Sequence, residues 1–205
     1  MSETHDAITR AGKIIRSGGV VLVPTETFYA LAADPFREKA VARIFRIKCR
    51  DEKKPLPLIA SRRSVAEPLI HNPGKTALLL MDGFWPGSLT MVFDPAVDVP
   101  KWLKGPGGKI GVRVPPDCPA RDLAEESGGW ITATSANLSG GPDPQEIASI
   151  ARQVVAAVDA VIDLGPTPGG APSTVVELLN SDIRIIRHGA VTESALRELV
   201  GAHLT

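Results

Sequence analysis

Nine polar residues stand at or just beyond the ends of apolar runs: Thr27, Tyr29, Lys48, Arg50, Arg113, Ser135, Asn137, Ser173 and Arg187. They are cations, hydroxyls and one amide. Such a set holds and polarises a phosphorylated substrate, and it includes no activated protein nucleophile. It fits phosphoryl or nucleotidyl transfer in which a substrate atom attacks while positioning and electrostatics supply the rate. The cations are densest from Arg43 to Lys54, where Arg43, Arg46, Lys48, Arg50, Lys53 and Lys54 face only Asp51 and Glu52. A local cationic crossing between two elements suits an anionic ligand such as a polyphosphate. It also describes a solvated, salt-bridged helix end, and the stretch alone does not choose.

Missing motifs narrow the chemistry. The chain has no P-loop, no G-x-G-x-x-G, no G-x-S-x-G and no H-E-x-x-H. His5, His71, His188 and His203 are scattered, and only His188 falls beside a candidate site residue. Cys49 and Cys118 lack the spacing of a zinc site, and no histidine-bearing motif pairs with Cys49, which reads as a bystander. No carboxylate pair stands out, so a divalent cation accompanying a polyphosphate would be held mainly through phosphates and water.

The elements that must position these residues alternate along the chain. An amphipathic helix over Ala7 to Ser17 leads to a fully apolar strand, Val20 to Val23, and then to a polar turn from Thr25 to Tyr29. Ligands of open α/β sheets bind beyond strand ends, although the same hydroxyls could simply cap the next element. A helix over Glu38 to Lys48 crosses into a strand from Leu56 to Ala60, and Ser64 with Glu67 has capping-box spacing. A helix over Lys75 to Phe84 and a strand over Leu89 to Phe93 follow. The Pro/Gly-rich stretch from Pro95 to Gly108 is expected to be a mobile loop anchored by Trp102. In the next strand, Gly111 and Arg113 share one face, leaving Ile110, Val112 and Val114 to be buried; this makes Arg113 a plausible anion clamp. A helix over Pro119 to Ser127 and a strand over Trp130 to Ala133 lead to Thr134–Gly141, whose small residues let a ligand approach backbone N–H groups. Asp143-Pro-Gln-Glu146 predicts a helix running to about Ala156. Strands near Val161, at Val175 to Glu177 and at Ile183 to Ile186, then a helix from Thr192, complete a pattern read as one α/β domain over 1–205.

Composition excludes some classes. Lysine plus arginine and aspartate plus glutamate both total 23 in 205 residues, and aromatic residues are 4%. That balance argues against broad nucleic-acid binding and against single-strand stacking platforms. The first thirty residues carry no secretory pattern and no apolar run is long enough to span a membrane, so a cytoplasmic location is expected.

Seven motifs, in order, resemble those of the YrdC/TsaC family of threonylcarbamoyl-AMP synthases. They are Pro24-Thr-Glu-Thr-Phe-Tyr-Ala-Leu31, Lys48-Cys-Arg50 with Pro55-Leu56, Phe84-Trp-Pro-Gly-Ser-Leu-Thr90, Gly111-Val-Arg-Val-Pro115, Ser135-Ala-Asn137, Ser173-Thr-Val175 and Arg187-His-Gly189. Each is weak alone, and the ordered set is specific. The resemblance implies a twisted open mixed sheet flanked by helices around a concave, positively charged cavity, in the short single-domain form. It implies that L-threonine, bicarbonate and ATP give threonylcarbamoyl-AMP and pyrophosphate, with Mg²⁺, for the modification of tRNA by a downstream threonylcarbamoyl-transferase complex. By the family's pattern Thr27, Tyr29, Arg113 and Ser173 hold threonine. Lys48, Arg50, Ser135, Asn137 and Arg187 hold ATP, with Lys48 and Arg50 catalytic. Four positions depart: Ala30 replaces a glycine, Ser88 a proline, Thr134 a proline, and Ile59 falls near a usual histidine. They bear on amino-acid selectivity more than on nucleotide binding. Two other readings stay open: a nucleotide-binding paralogue with a different acceptor substrate, and an RNA-binding or ribosome-maturation factor.

Overall fold

A computed structural model describes residues 3–51, 54–179 and 182–204. Glu52 and Lys53 of the cationic crossing lie outside the described residues. In chain order the elements are α1 (Glu3–Arg16), β1 (Val20–Pro24), β2 (Tyr29–Ala33), α2 (Glu38–Lys48), β3 (Leu58–Ala60), α3 (Arg63–Ala66), α4 (Gly74–Phe84), β4 (Leu89–Phe93), β5 (Ile110–Arg113), α5 (Pro119–Glu126), β6 (Trp130–Ser135), α6 (Arg152–Val155), β7 (Ala160–Val161), β8 (Thr174–Leu179), β9 (Asp182–Arg187) and α7 (Glu193–Leu204). The described strands form one mixed sheet in the order β7-β1-β2-β6-β3-β5-β4-β8-β9. The pairs β1/β7, β3/β5 and β4/β8 are parallel, and the other neighbours are antiparallel.

Alternation along β1 explains its unbroken apolar sequence. Val21 and Val23 pack with Ile8 and Ile15 of α1 and Leu123 of α5 on one face. Val20 and Leu22 pack with Val41, Ile44 and Phe45 of α2 on the other. A strand covered on both sides has no polar face to show. At the far end of the sheet Leu80 and Met81 of α4 and Leu196 of α7 cover Met91, Val112 and Val176. The final helix opens as expected, with Thr192 Oγ1 accepting the Ala195 N–H at 3.2 Å.

Three local readings need correction. Tyr29 is the first residue of a strand rather than the end of a turn, and Val20 to Pro24 pairs antiparallel with Ala33 to Tyr29. The stretch Tyr-Ala-Leu-Ala-Ala has no β-branched residue, so propensity hides a strand that pairing with β1 and β6 imposes. Asp143 does not start a long helix. Its successors are spent as acceptors: Pro144 O takes the Tyr29 N–H and Gln145 O the Thr167 N–H, each at 2.8 Å. Only a 3-10 turn at Ile147–Ser149 and the short α6 follow. Ser64 lies inside α3, whose N-cap is Arg62, so the capping box does not form. In the Pro95–Gly108 stretch Trp102 is the expected anchor, its indole donating to Pro35 O at 2.9 Å, and Val99 and Leu103 are buried while Val97 is exposed.

The exit of α2 matters for the site. Cys49 sits in the left-handed region (φ 50°, ψ 42°), its N–H reaching Arg46 O at 3.2 Å while Arg50 N–H reaches Phe45 O at 2.9 Å. This is a Schellman turn with a side chain where glycine is preferred. Cys49→Gly is therefore expected to raise stability by about 0.5–1 kcal/mol in urea unfolding, with no change in ligand binding. An unchanged or lowered midpoint would show that this turn is not strained.

Candidate active site

The sheet's β1–β2 turn, the ends of β3, β5 and β6 and the start of β8 surround a cavity of about 160 Å³ open to solvent. Thr27, Tyr29, Arg50, Arg113, Ser135, Ser173 and Arg187 all line it. Lys48 and Asn137 do not; they sit behind its wall.

Lys48 is 1% exposed. Its ammonium donates to Asn137 O and Asn137 Oδ1, both at 2.7 Å, and to Ser135 O. Ser135 Oγ donates to Asn137 Oδ1 at 2.8 Å, and Asn137 Nδ2 donates to Gly141 O and to Asp143 Oδ1. The K-x-R and S-x-N motifs are thus one knot, with Lys48 as the bolt that holds the 135–141 turn. Burial first, and the like charge of Arg50 second, pull the Lys48 pKa down to about 8, with Asp143 opposing.

Arg50 is turned over its own segment, Nε donating to Lys54 O at 3.1 Å and Nη2 to Pro55 O at 3.2 Å. Arg187 stands at the rim, donating from Nε and Nη2 to Ser173 O and from Nη2 to Ser173 Oγ at 3.0 Å. Ser173 Oγ also meets Thr90 Oγ1 at 3.0 Å. Burial lowers the pKa of both arginines, and at Arg187 the charges of Arg113 and Arg50 add to that effect against Asp143. The Arg187 guanidinium therefore lies within reach of the charges of Arg113 and Arg50, and the carboxylate among the residues lining the cavity is Asp143. This arrangement favours a polyanion bound among them.

Two further predicted residues also have partners within the protein. Tyr29 is fully buried, and its hydroxyl donates to Gly165 O at 2.7 Å, which holds the 163–165 turn; burial pushes this phenol's pKa up. Arg113 pairs with Glu26, which receives Nη1 on Oε1. Thr25 takes the capping part foreseen for this turn, its Oγ1 accepting the N–H groups of Thr27 and Phe28 at 3.1 Å. His188 is exposed.

Sequence reasoning missed Glu26, Thr90 and Asp143. Glu26 and Thr90 lie within quoted motifs, which is the signal that could have found them, whereas the helix-start pattern disguised Asp143. An apolar floor of Ala30, Pro57, Ile59 and Ala133 also lines the cavity; Ala30 and Ile59 stood out in sequence as departures from the family pattern, and Pro57 and Ala133 did not. A second chamber of about 540 Å³ opens beyond Arg50, Thr90 and Arg187, with Leu56, Val92, Val175 and Ile185 in its walls.

A family model described as telomere recombination, that of Sua5, YciO and YrdC, matches residues 13–189. The chain belongs to the Sua5/YciO/YrdC family. The threonylcarbamoyl-AMP synthase of Coxiella burnetii is 33% identical over 174 residues, 84% of this chain and 94% of the relative. That of Pyrococcus abyssi is 34% identical over 191 residues, 93% of this chain and 56% of the relative. The chain spans little more than half the length of the latter, and 58% of the Bacillus subtilis synthase. Among solved Sua5/YciO/YrdC structures, P. abyssi Sua5 complexed with L-threonine superposes with a TM-score of 0.88 at 34% identity, covering 95% of this chain and 57% of that one. Escherichia coli YciO superposes with a TM-score of 0.82 at 27% identity, covering 94% of this chain and 93% of that one. Among the described residues no helix is long and apolar enough to cross a membrane.

Proposed function

We propose that this chain, acting as a single YrdC-like domain over 1–205, is a cytoplasmic nucleotidyltransferase that makes threonylcarbamoyl-AMP and pyrophosphate from L-threonine, bicarbonate and ATP. The observation that carries the reading is the gathering of three arginines and the Lys48–Ser135–Asn137 knot around one cavity, with no Cys, His or Lys among the described residues that line it. The synthases named above support it. The threonine amine forms a bond to the carbon that bicarbonate supplies, the C–O bond to the departing hydroxide breaks, and the amine's proton joins that hydroxide as water, leaving a carbamate. A carbamate oxygen attacks the α-phosphorus in line, the bond to the bridging oxygen breaks, and pyrophosphate leaves with its electron pair. Arg50 and Arg187 offset the charge of the phosphates, and Ser135 and Asn137 present the 135–141 turn to the nucleotide. Lys48 acts from behind by holding that turn. Thr27, Arg113 and Ser173 bind the amino acid, and Tyr29 shapes its pocket from the buried side.

Among the described residues no group of three or more His, Cys, Asp or Glu side chains could hold a metal ion. Magnesium, when ATP brings it, would be held through phosphate oxygens and water, with Asp143 the carboxylate within the cavity. The product would pass to a threonylcarbamoyl-transferase complex that modifies tRNA.

The test is pyrophosphate release from ATP and bicarbonate with and without L-threonine, with serine as control. Release that depends on threonine supports the proposal, and ATP binding without threonine-dependent release overturns it. In the same assay Arg50→Ala is expected to cost on the order of 100-fold in turnover with an unchanged melting temperature. Wild-type turnover would remove Arg50 from the catalytic machinery. The apolar floor of Ala30, Pro57, Ile59 and Ala133 favours a second reading, a paralogue acting on an amino acid with an aliphatic side chain. Valine- or isoleucine-dependent release exceeding that with threonine would establish it.

A further inference from the structure

The cavity's carboxylate clamp is not a lone arginine. Arg113 is 8% exposed and rises from β5 into the cavity, where its Nη1 donates to Glu26 Oε1. Glu26 belongs to the β1–β2 turn, on the other side of β6 and β3 in the sheet order, so the pair ties two distant strands together. Ser88 Oγ donates to the same Glu26 oxygen at 3.0 Å, and Cys118 Sγ lies 3.9 Å from Glu26 Oε2. The two charged side chains are only 10% and 12% exposed. A carboxylate this enclosed is held by its partner, and the partner by it.

We propose that Glu26 is the positioning residue for Arg113, holding one corner of the guanidinium so that its remaining donors face a ligand carboxylate, and that Ser88 in turn holds Glu26. The bond to Glu26 engages Nη1, whereas a guanidinium carries five N–H donors in a rigid fork, so a second carboxylate can be received on the cavity side. An arginine already fixed in its rotamer loses little further freedom when ligand arrives. Glu26 also offsets one of the three guanidinium charges beside the cavity. This biases the Arg113 corner toward a singly charged carboxylate and leaves Arg50 and Arg187 for the more highly charged phosphates. Ser88 gives this chain a hold on Glu26 that proline, the residue of the family pattern there, lacks the hydroxyl to make. The inference deepens the proposed function, since it rests on an amino-acid carboxylate being bound at Arg113.

The experiment compares Glu26→Gln, Glu26→Asp and Ser88→Ala with the unaltered chain in pyrophosphate release. Glu26→Gln is expected to raise the KM for L-threonine about tenfold, with kcat within about twofold and the KM for ATP unchanged. Ser88→Ala should raise the same KM about threefold, and Glu26→Asp, which keeps the charge, should recover part of the loss. An unchanged threonine KM in Glu26→Gln, or equal rises for threonine and ATP, would overturn the assignment. A second readout needs no turnover: phenylglyoxal labelling of Arg113, followed by peptide mass spectrometry. Labelling at least about threefold faster in Glu26→Gln supports the hold on Arg113 even if no amino acid drives release, in which case the functional reading alone fails. Equal labelling rates overturn the hold itself.

Discussion

Replacing Lys48 by methionine is expected to lower stability by about 2 kcal/mol and to reduce threonine-dependent pyrophosphate release by more than about 100-fold. Methionine fills much of the lysine's volume, so the loss is polar. Ser135 O and Asn137 O lose the ammonium that satisfies them, while Asn137 Oδ1 keeps Ser135 Oγ. Each carbonyl left without a donor costs about 1 kcal/mol or more, and removing the buried charge returns part of that. Loss of activity follows from release of the 135–141 turn. The pH dependence gives an independent check. Lys48 titrates at about 8 in the folded protein, against an ordinary value of 10.5. At pH 9.5 the native state has shed this proton and the unfolded chain has kept it. Unfolding then takes up a proton, so the contribution of this group to stability rises with pH between the two values and is flat below the lower one. Urea unfolding at pH 7.5 and 9.5 should show the original chain gaining roughly 1–2 kcal/mol relative to Lys48→Met. Parallel pH profiles for the two proteins would mean that Lys48 is not depressed.

Gly189→Ala is expected to cost about 3 kcal/mol and most of the activity. The reason is not backbone freedom, for Gly189 has no left-handed φ; it is space. A Cβ there would meet Pro172 O and lie 2.6 Å from both Ser173 C and Thr174 N. These are backbone atoms at the start of β8, and they have no rotamer to change. The end of β9 would have to lift away, taking Arg187 off Ser173. Gly201→Ala is the control. It lies in α7 with nothing within 4 Å of the new Cβ, so it should be neutral or raise stability by up to about 1 kcal/mol. Equal thermal shifts in the two variants would remove the packing argument for Gly189.

What the sequence determined by itself was local. The apolar run of β1, the 3.6-residue period of α2 and the alternation in β5 each follow from one element burying its own face. Of the nine candidate site residues seven line the cavity, and Lys48 and Asn137 lie behind its wall. What the tertiary structure decided was everything that depends on a partner far along the chain. Tyr29 to Ala33 is a strand because β1 and β6 offer paired edges, although its alanines do not favour one. Asp143 to Glu146 is not a helix because Tyr29 and Thr167 claim its carbonyls. Lys48 looks like a phosphate ligand in sequence, yet it is buried under the turn that Ser135 and Asn137 form, 87 and 89 residues away. Arg113 looks like a lone clamp until Glu26, 87 residues away, is found beside it. Periodicity and propensity report the face an element turns to the core. Which donor meets which acceptor is settled only when the sheet brings the strand ends together.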